Sequence, residues 1–283
     1  AAPATRLSLR DDWRESLDLV SRIALDPALP VVILVHDGLA AATSNPFEAA
    51  LAAKFVSELA DRVLAANGPP TTADFWTEVA AVVSPHRAQN AAIRAMIPAA
   101  LRTNAFVETV DRIQGKERDA VILSYCVSDP EFALAEAEFI FSPERLNVAS
   151  TRARTKLVLI ISRRLLEAVP GEQETMDKAE LLREFVYSCD LLAETVLDGP
   201  AGRQVRTQIR GRGFEGDSLE LDLTPDAAVE EQAPEMTPAL EGLLAAIRRV
   251  AVGNSYGTAS LSQVKRAMAL AAEPFTDARL LHI

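Results

Sequence analysis

Five short apolar runs constrain this chain more than any other feature. Val31 to Val35, Val79 to Val83, Ala105 to Val110, Asp119 to Tyr125 and Lys156 to Ser162 each have the length of a strand, and helical or loop segments separate them. A strand that is apolar at consecutive positions, not at every second one, must be covered on both faces. Strands of this kind alternating with helices over about 130 residues predict an α/β fold, a parallel sheet with helices on both sides.

Ligands of such sheets bind beyond the carboxyl ends of the strands. Polar clusters occupy the segments that follow them: His36-Asp37-Gly38, Ser84 to Gln89, and Asp111 to Glu117. His36 reads either as a ligand contact or as a satisfied structural histidine. Three arginines, Arg145, Arg152 and Arg154, fall on a short helix opening at Ser142-Pro143-Glu144 between the last two strands. Buried guanidinium groups are costly unless paired, so this helix predicts an anion beside it.

The flanks read more simply. Arg10 to Leu25 gives an amphipathic helix with Trp13, Leu17, Val20 and Ala24 on one face. Asn45-Pro46-Phe47-Glu48 is a helix start, with Asn as N-cap, Pro at the first helical position and Glu in the first turn. Met176 to Val196 reads as a helix packing back on the sheet. Gln204 to Arg210 and Leu219 to Leu223 read as the two strands of a β-hairpin. Its turn, Gly211 to Gly216, matches a glycine-rich phosphate loop in spacing alone. Asp217 stands where such a loop carries lysine, and a strand follows instead of a helix.

Between Glu215 and Glu241 every charged residue is acidic, which reads as a linker. The expected organisation is an N-terminal helix (1–29), a main domain (30–198), a hairpin (199–223), an acidic linker (224–237) and a truncated helical module (238–283). A net charge of -11 excludes coating of nucleic acid by bulk charge, so any such contact must be local. Two cysteines without a His/Cys cluster indicate a reducing compartment and no metal site. With no apolar run of spanning length, a cytoplasmic protein is expected.

Three ordered stretches carry a resemblance. Ser84-Pro85-His86-Arg87-Ala88-Gln89, the run Thr109 to Asp119 (TVDRIQGKERD) and the run Arg145 to Arg154 (RLNVASTRAR) resemble motifs IV, V and VI of superfamily 1 helicases. The resemblance is to the 5′-to-3′ branch that includes the nonsense-mediated-decay helicase type, over roughly residues 30 to 165. It implies the second RecA-like motor domain of a P-loop NTPase, closing on domain 1 across ATP.

On that resemblance, Arg152 points at the γ-phosphate as an arginine finger, joined by Arg87, to stabilise charge on the transferring phosphoryl group. Gly115 and Glu117 face the nucleotide. Gln114 couples the nucleotide to the nucleic acid, and Thr109 and Asp111 face single-stranded DNA or RNA. His86 stands where tyrosine is more usual, which leaves the stacking role of that position open.

No stretch reads G-x-x-x-x-G-K-[ST], so ATP with its Mg2+ is expected to be held by domain 1, and this chain alone is not expected to hydrolyse ATP. The alternative is a catalytically silent RecA-like module that binds or regulates. A stand-alone hydrolase or nuclease finds no support in the motifs.

Overall fold

A computed structural model describes residues 6–64, 68–214, 221 and 223. The acidic linker and the helical module expected over 224–283 lie outside the described residues. Seven strands form one sheet in the order β3-β2-β4-β5-β1-β7-β6. They are β1 (Val31–His36), β2 (Ala80–Ser84), β3 (Val107–Thr109), β4 (Arg118–Ser124), β5 (Ala153–Ser162), β6 (Asp190–Asp198) and β7 (Gln204–Arg212).

β1 to β5 are the five expected strands, and all their mutual pairings are parallel. Alternate residues of β1 enter different cores. Val32 and Leu34 pack with Phe55, Trp76 and Ile93 on one side of the sheet, whereas Ile33 and Val35 pack with Leu146, Leu165 and Val186 on the other. Two buried faces need apolar residues at both parities, which is why the runs are continuous.

Asn45 caps the helix Pro46–Arg62 as its sequence implies, its Oδ1 accepting from the N–H groups of Phe47 and Glu48. The first helix is shorter than expected. It spans Leu19–Leu25, begins at Asp18, whose carboxylate accepts from Ser21 N–H, and follows Ser16 at φ 61°. Trp13 and Leu17 are nevertheless buried, so the apolar spacing was right and the helix was not.

The hairpin also differs. The helix Gln173–Tyr187 ends nine residues before Val196, and Asp190–Asp198 is a strand antiparallel to β7. β7 pairs on its other side with β1, also antiparallel. The hairpin therefore extends the main sheet, with Asp190–Asp198 in place of Leu219–Leu223 as the partner; most of the latter segment lies outside the described residues. Leu192 and Val196 stand four apart and fit a helical period, yet Asp190–Asp198 is a strand with one face exposed.

Candidate functional site

Parallel strands give the sheet two unlike rims. Chain direction decides which residues reach each: a segment that follows a strand lies at the carboxyl rim, and one that precedes a strand lies at the amino rim. Thr109 ends β3 in register with Ser84, the last residue of β2. Asp111 follows, and Arg87 opens the helix Arg87–Met96 three residues beyond Ser84. These three residues share the carboxyl rim.

Gly115 and Glu117 precede β4, and Arg152 precedes β5. Arg118 pairs with Ala153, and Arg118 N–H donates to the carbonyl of Arg152 at 2.9 Å. Glu117 and Arg152 are thus backbone neighbours on the amino rim. Arg87 lies on the other rim, so within this chain the structure does not bring the two arginines together. The length of β2 separates the rims, ~17 Å at about 3.3 Å per residue, further than a side chain reaches. Of the cluster Asp111 to Glu117, expected at a carboxyl end, only the start lies there; Gly115 and Glu117 lie at the amino end of β4.

The three arginines expected to share an anion have different neighbours. Arg145 lies over the Phe139 ring at 4.0 Å and pairs with Asp111 at 3.3 Å. Arg154 lies in β5 beyond the helix Pro143–Ser150 and holds Asp119 at 2.9 Å and Glu78 at 3.4 Å. A register shift between Arg118 and Ala120 accompanies that pairing. Burial raises the carboxyl pKa of Asp119, and the charge and hydrogen bond of Arg154 oppose the rise. Arg152 keeps no carboxylate. Its side chain donates only to Thr151 Oγ1 at 3.3 Å, and its Nε is buried without a hydrogen-bond partner.

Gly115 adopts φ 76°, a conformation glycine enters without steric cost, in the turn closed by Lys116 N–H on the carbonyl of Ile113. Turn geometry alone accounts for a glycine there. Glu117 and Gln114 are exposed, and no hydrogen bond ties the Gln114 side chain to another described residue. The hydroxyl of Thr109 does not cap the short helix Val110–Ile113.

The carboxyl rim rests on a buried polar network. Gly38 N–H donates to His36 Nδ1 at 3.1 Å, so Nε2 carries the proton and donates to Glu48 Oε1 at 2.9 Å. The other oxygen of Glu48 accepts from Ser124 Oγ at 2.7 Å and from the N–H of Cys126 at 2.8 Å. Gln89 Nε2 donates to Ser124 Oγ, and Gln89 Oε1 accepts from Asn45 N–H at 2.8 Å. This places His36 as structural, and Gln89 as the link from the Ser84–Gln89 loop to the helix start at Asn45. Glu48 was the residue missed. Its first-turn position was legible, but a carboxylate shared between His36 at the end of β1 and the end of β4 was not.

His86 packs edge-on against Phe132 at 5.7 Å and tilted against Phe139 at 5.6 Å, and burial lowers its pKa. Its ring stacks on the chain's own aromatics. Among the described residues no group of three or more His, Cys, Asp or Glu could hold a metal ion. Nor is any helix among them long and apolar enough to cross a membrane.

Residues 35–164 match the family described as AAA domain. Over 153 residues the chain is 29% identical to the DNA replication ATP-dependent helicase/nuclease of Arabidopsis thaliana, covering 52% of this chain and 10% of that protein. It is 40% identical over 80 residues to the DNA polymerase alpha-associated DNA helicase A of Saccharomyces cerevisiae, covering 28% and 11%. A probable helicase of Dictyostelium discoideum is 26% identical over 141 residues, covering 50% and 14%. These matches support an ATP-dependent helicase domain. With it goes the mixed α/β, RecA-like architecture of the P-loop NTPases. The helicase-like segment runs from the end of β1 through β5 and includes every expected site residue on both rims. The chain itself spans about a tenth of the first two relatives.

Proposed function

We propose that this chain is the second RecA-like motor domain of a superfamily 1 helicase of the 5′-to-3′ branch. It closes on a domain 1 that holds ATP and Mg2+. Arg152 carries this reading. Of Arg145, Arg152 and Arg154 it is the one whose guanidinium has no carboxylate and whose Nε is buried unpaired. An unpaired buried donor is costly, and a phosphate from outside the chain would satisfy it.

Glu117 and Gly115, backbone neighbours of that arginine, form the rest of the nucleotide-facing rim, with Gln114 on the turn that leads to them. The carboxyl rim is the nucleic-acid side. Thr109 offers a free hydroxyl to a phosphate, Asp111 orients Arg145, and Arg87 belongs here instead of at the γ-phosphate. ATP binding at one rim and strand binding at the other are then separated by one sheet thickness of strand length. The run from Thr109 to Glu117 passes between the two rims, which gives domain closure a way to alter the grip on the strand. Two of the relatives are DNA helicases by name, which favours DNA as that strand.

The test is Arg152→Ala in the full-length protein. ATP affinity stays within a few-fold while nucleic-acid-stimulated turnover falls by about 10³ or more, since an arginine finger acts in the transition state. Turnover near the parent level, measured under saturating ATP, would remove Arg152 from the site.

A further inference from the structure

Arginines of the described residues differ in whether a carboxylate neutralises them. Arg14, Arg94, Arg145, Arg154, Arg163 and Arg183 each hold a carboxylate within 3.3 Å. Arg206, Arg210 and Arg212 on β7 hold none, in a chain with 40 acidic residues against 29 basic. The cross-strand register sets these three on one face. Arg206 stands opposite Val196, Gln208 opposite Glu194 and Arg210 opposite Leu191, while Val205, Thr207 and Ile209 are buried on the reverse side. Successive residues of that row lie ~7 Å apart.

What surrounds the row is equally specific. Arg210 lies 5.1 Å over the ring of Tyr187, which is 43% exposed, and its Nε is buried without a hydrogen-bond partner. Arg212 donates to the neutral hydroxyl of Ser188. The carboxylate opposite, Glu194, is taken by Gln208 Nε2 at 2.5 Å. Leu191 and Val196 leave apolar surface exposed between the charges. A row of unneutralised guanidinium groups beside an exposed aromatic ring is the chemistry that grips phosphates and stacks a base.

We propose that this face of the β6–β7 hairpin is a second contact for the phosphate backbone of single-stranded nucleic acid. It lies outside residues 35–164, the segment shared with the AAA family. It rests on the helicase reading and extends it. Five strand steps separate β3 from β7 in the sheet, which is ~24 Å at about 4.8 Å per step. A strand held at Thr109 therefore meets the hairpin at high effective concentration, and the second grip strengthens the first without any change at the rim.

The experiment measures binding of a labelled deoxythymidine oligonucleotide to the whole chain over a range of salt. Three phosphate contacts at about 0.7 each predict that the triple variant Arg206→Gln, Arg210→Gln, Arg212→Gln loses ~2 from the slope of log K against log salt. Affinity falls at least about tenfold near 0.1 M salt. The matching triple lysine variant keeps most of the slope, because counterion release needs charge and not guanidinium geometry; an equal loss in both triples would show a folding defect and sink the contact. An unchanged slope in the glutamine triple, with the parent binding normally, overturns the hairpin contact and leaves the helicase reading standing. Absence of binding by the parent chain overturns both. If the glutamine triple keeps the oligonucleotide but loses a synthetic peptide of residues 215–241, the row serves the chain's own acidic segment, and the nucleic-acid contact is wrong.

Discussion

The two rims of the sheet are built on opposite plans. At the carboxyl rim a network around Glu48 is satisfied internally: Glu48 takes three donors, His36 is held at both ring nitrogens, and Gln89 ties the loop after β2 to the helix start at Asn45, while His86 Nε2 and Asn90 Oδ1 beside it are buried without a partner. At the amino rim Glu117, Gln114 and Gly115 are exposed, and Arg152 carries an unpaired Nε. The first rim is braced by a shared buried carboxylate; the second has none. A surface that grips a strand repeatedly gains from a rigid base. A surface that must meet and release a nucleotide on another domain gains from groups that fold leaves unpaired.

The sharpest way to break this contrast is to damage the braced rim. Glu48→Ala strands the donors of His36, Ser124 and Cys126 in a site with no solvent access. Breaking one partner of such a network costs about 3–5 kcal/mol, so the melting temperature should drop by roughly 10 °C or more. A loss under about 1 kcal/mol in denaturant titration would show that the network is not what fixes this rim.

A subtler test concerns Lys156, fully buried among the described residues toward the other end of the strands. Lys156 donates from Nζ to the carbonyl of Leu29 at 2.5 Å, and burial lowers its pKa to about 7, with Asp26 opposing. Its folded value lies below the unfolded 10.5, so between those values the unfolded chain binds more protons. Stability contributed through this group therefore rises with pH across that window, by at most about 1.4 kcal/mol per unit. Lys156→Met removes the dependence, so the stability difference between parent and variant should shift in the parent's favour as pH rises from about 7.5 to 10. A difference independent of pH would mean that the lysine is charged in the fold.

The smallest effect separates the two arginines that the resemblance joined. Arg87→Gln should lower the salt slope of strand binding by about 0.7 and leave saturated ATP turnover within about threefold. A fall in turnover as large as that for Arg152→Ala would return Arg87 to the nucleotide and erase the division between rims.

Much of the fold could be read from local pattern. Residues 119 to 124 and 156 to 162 are apolar enough to demand cover on both faces, and Asn45-Pro46 stops and starts the chain by cap chemistry that needs no distant partner. Asp190 to Asp198 reads as helix because Leu192 and Val196 suit a helix as well as a half-exposed strand, and only pairing with β7 decides between them. Lys156, inside an apolar run, was visible as a buried cation in principle, since a central parallel strand has no wet face.

By itself, then, the amino-acid sequence determined the five doubly covered strands, the helix caps and the motif order, because strand period and capping act over a few residues. Only the tertiary structure decided which rim each motif occupies and which arginine is left unpaired. The rim depends on the direction in which the chain re-enters the sheet. The carboxylates that neutralise Arg145 and Arg154 stand 34 and 35 positions away along the chain. No local rule reaches that far, and the choice of Arg152 as the open cation follows from those distant pairings.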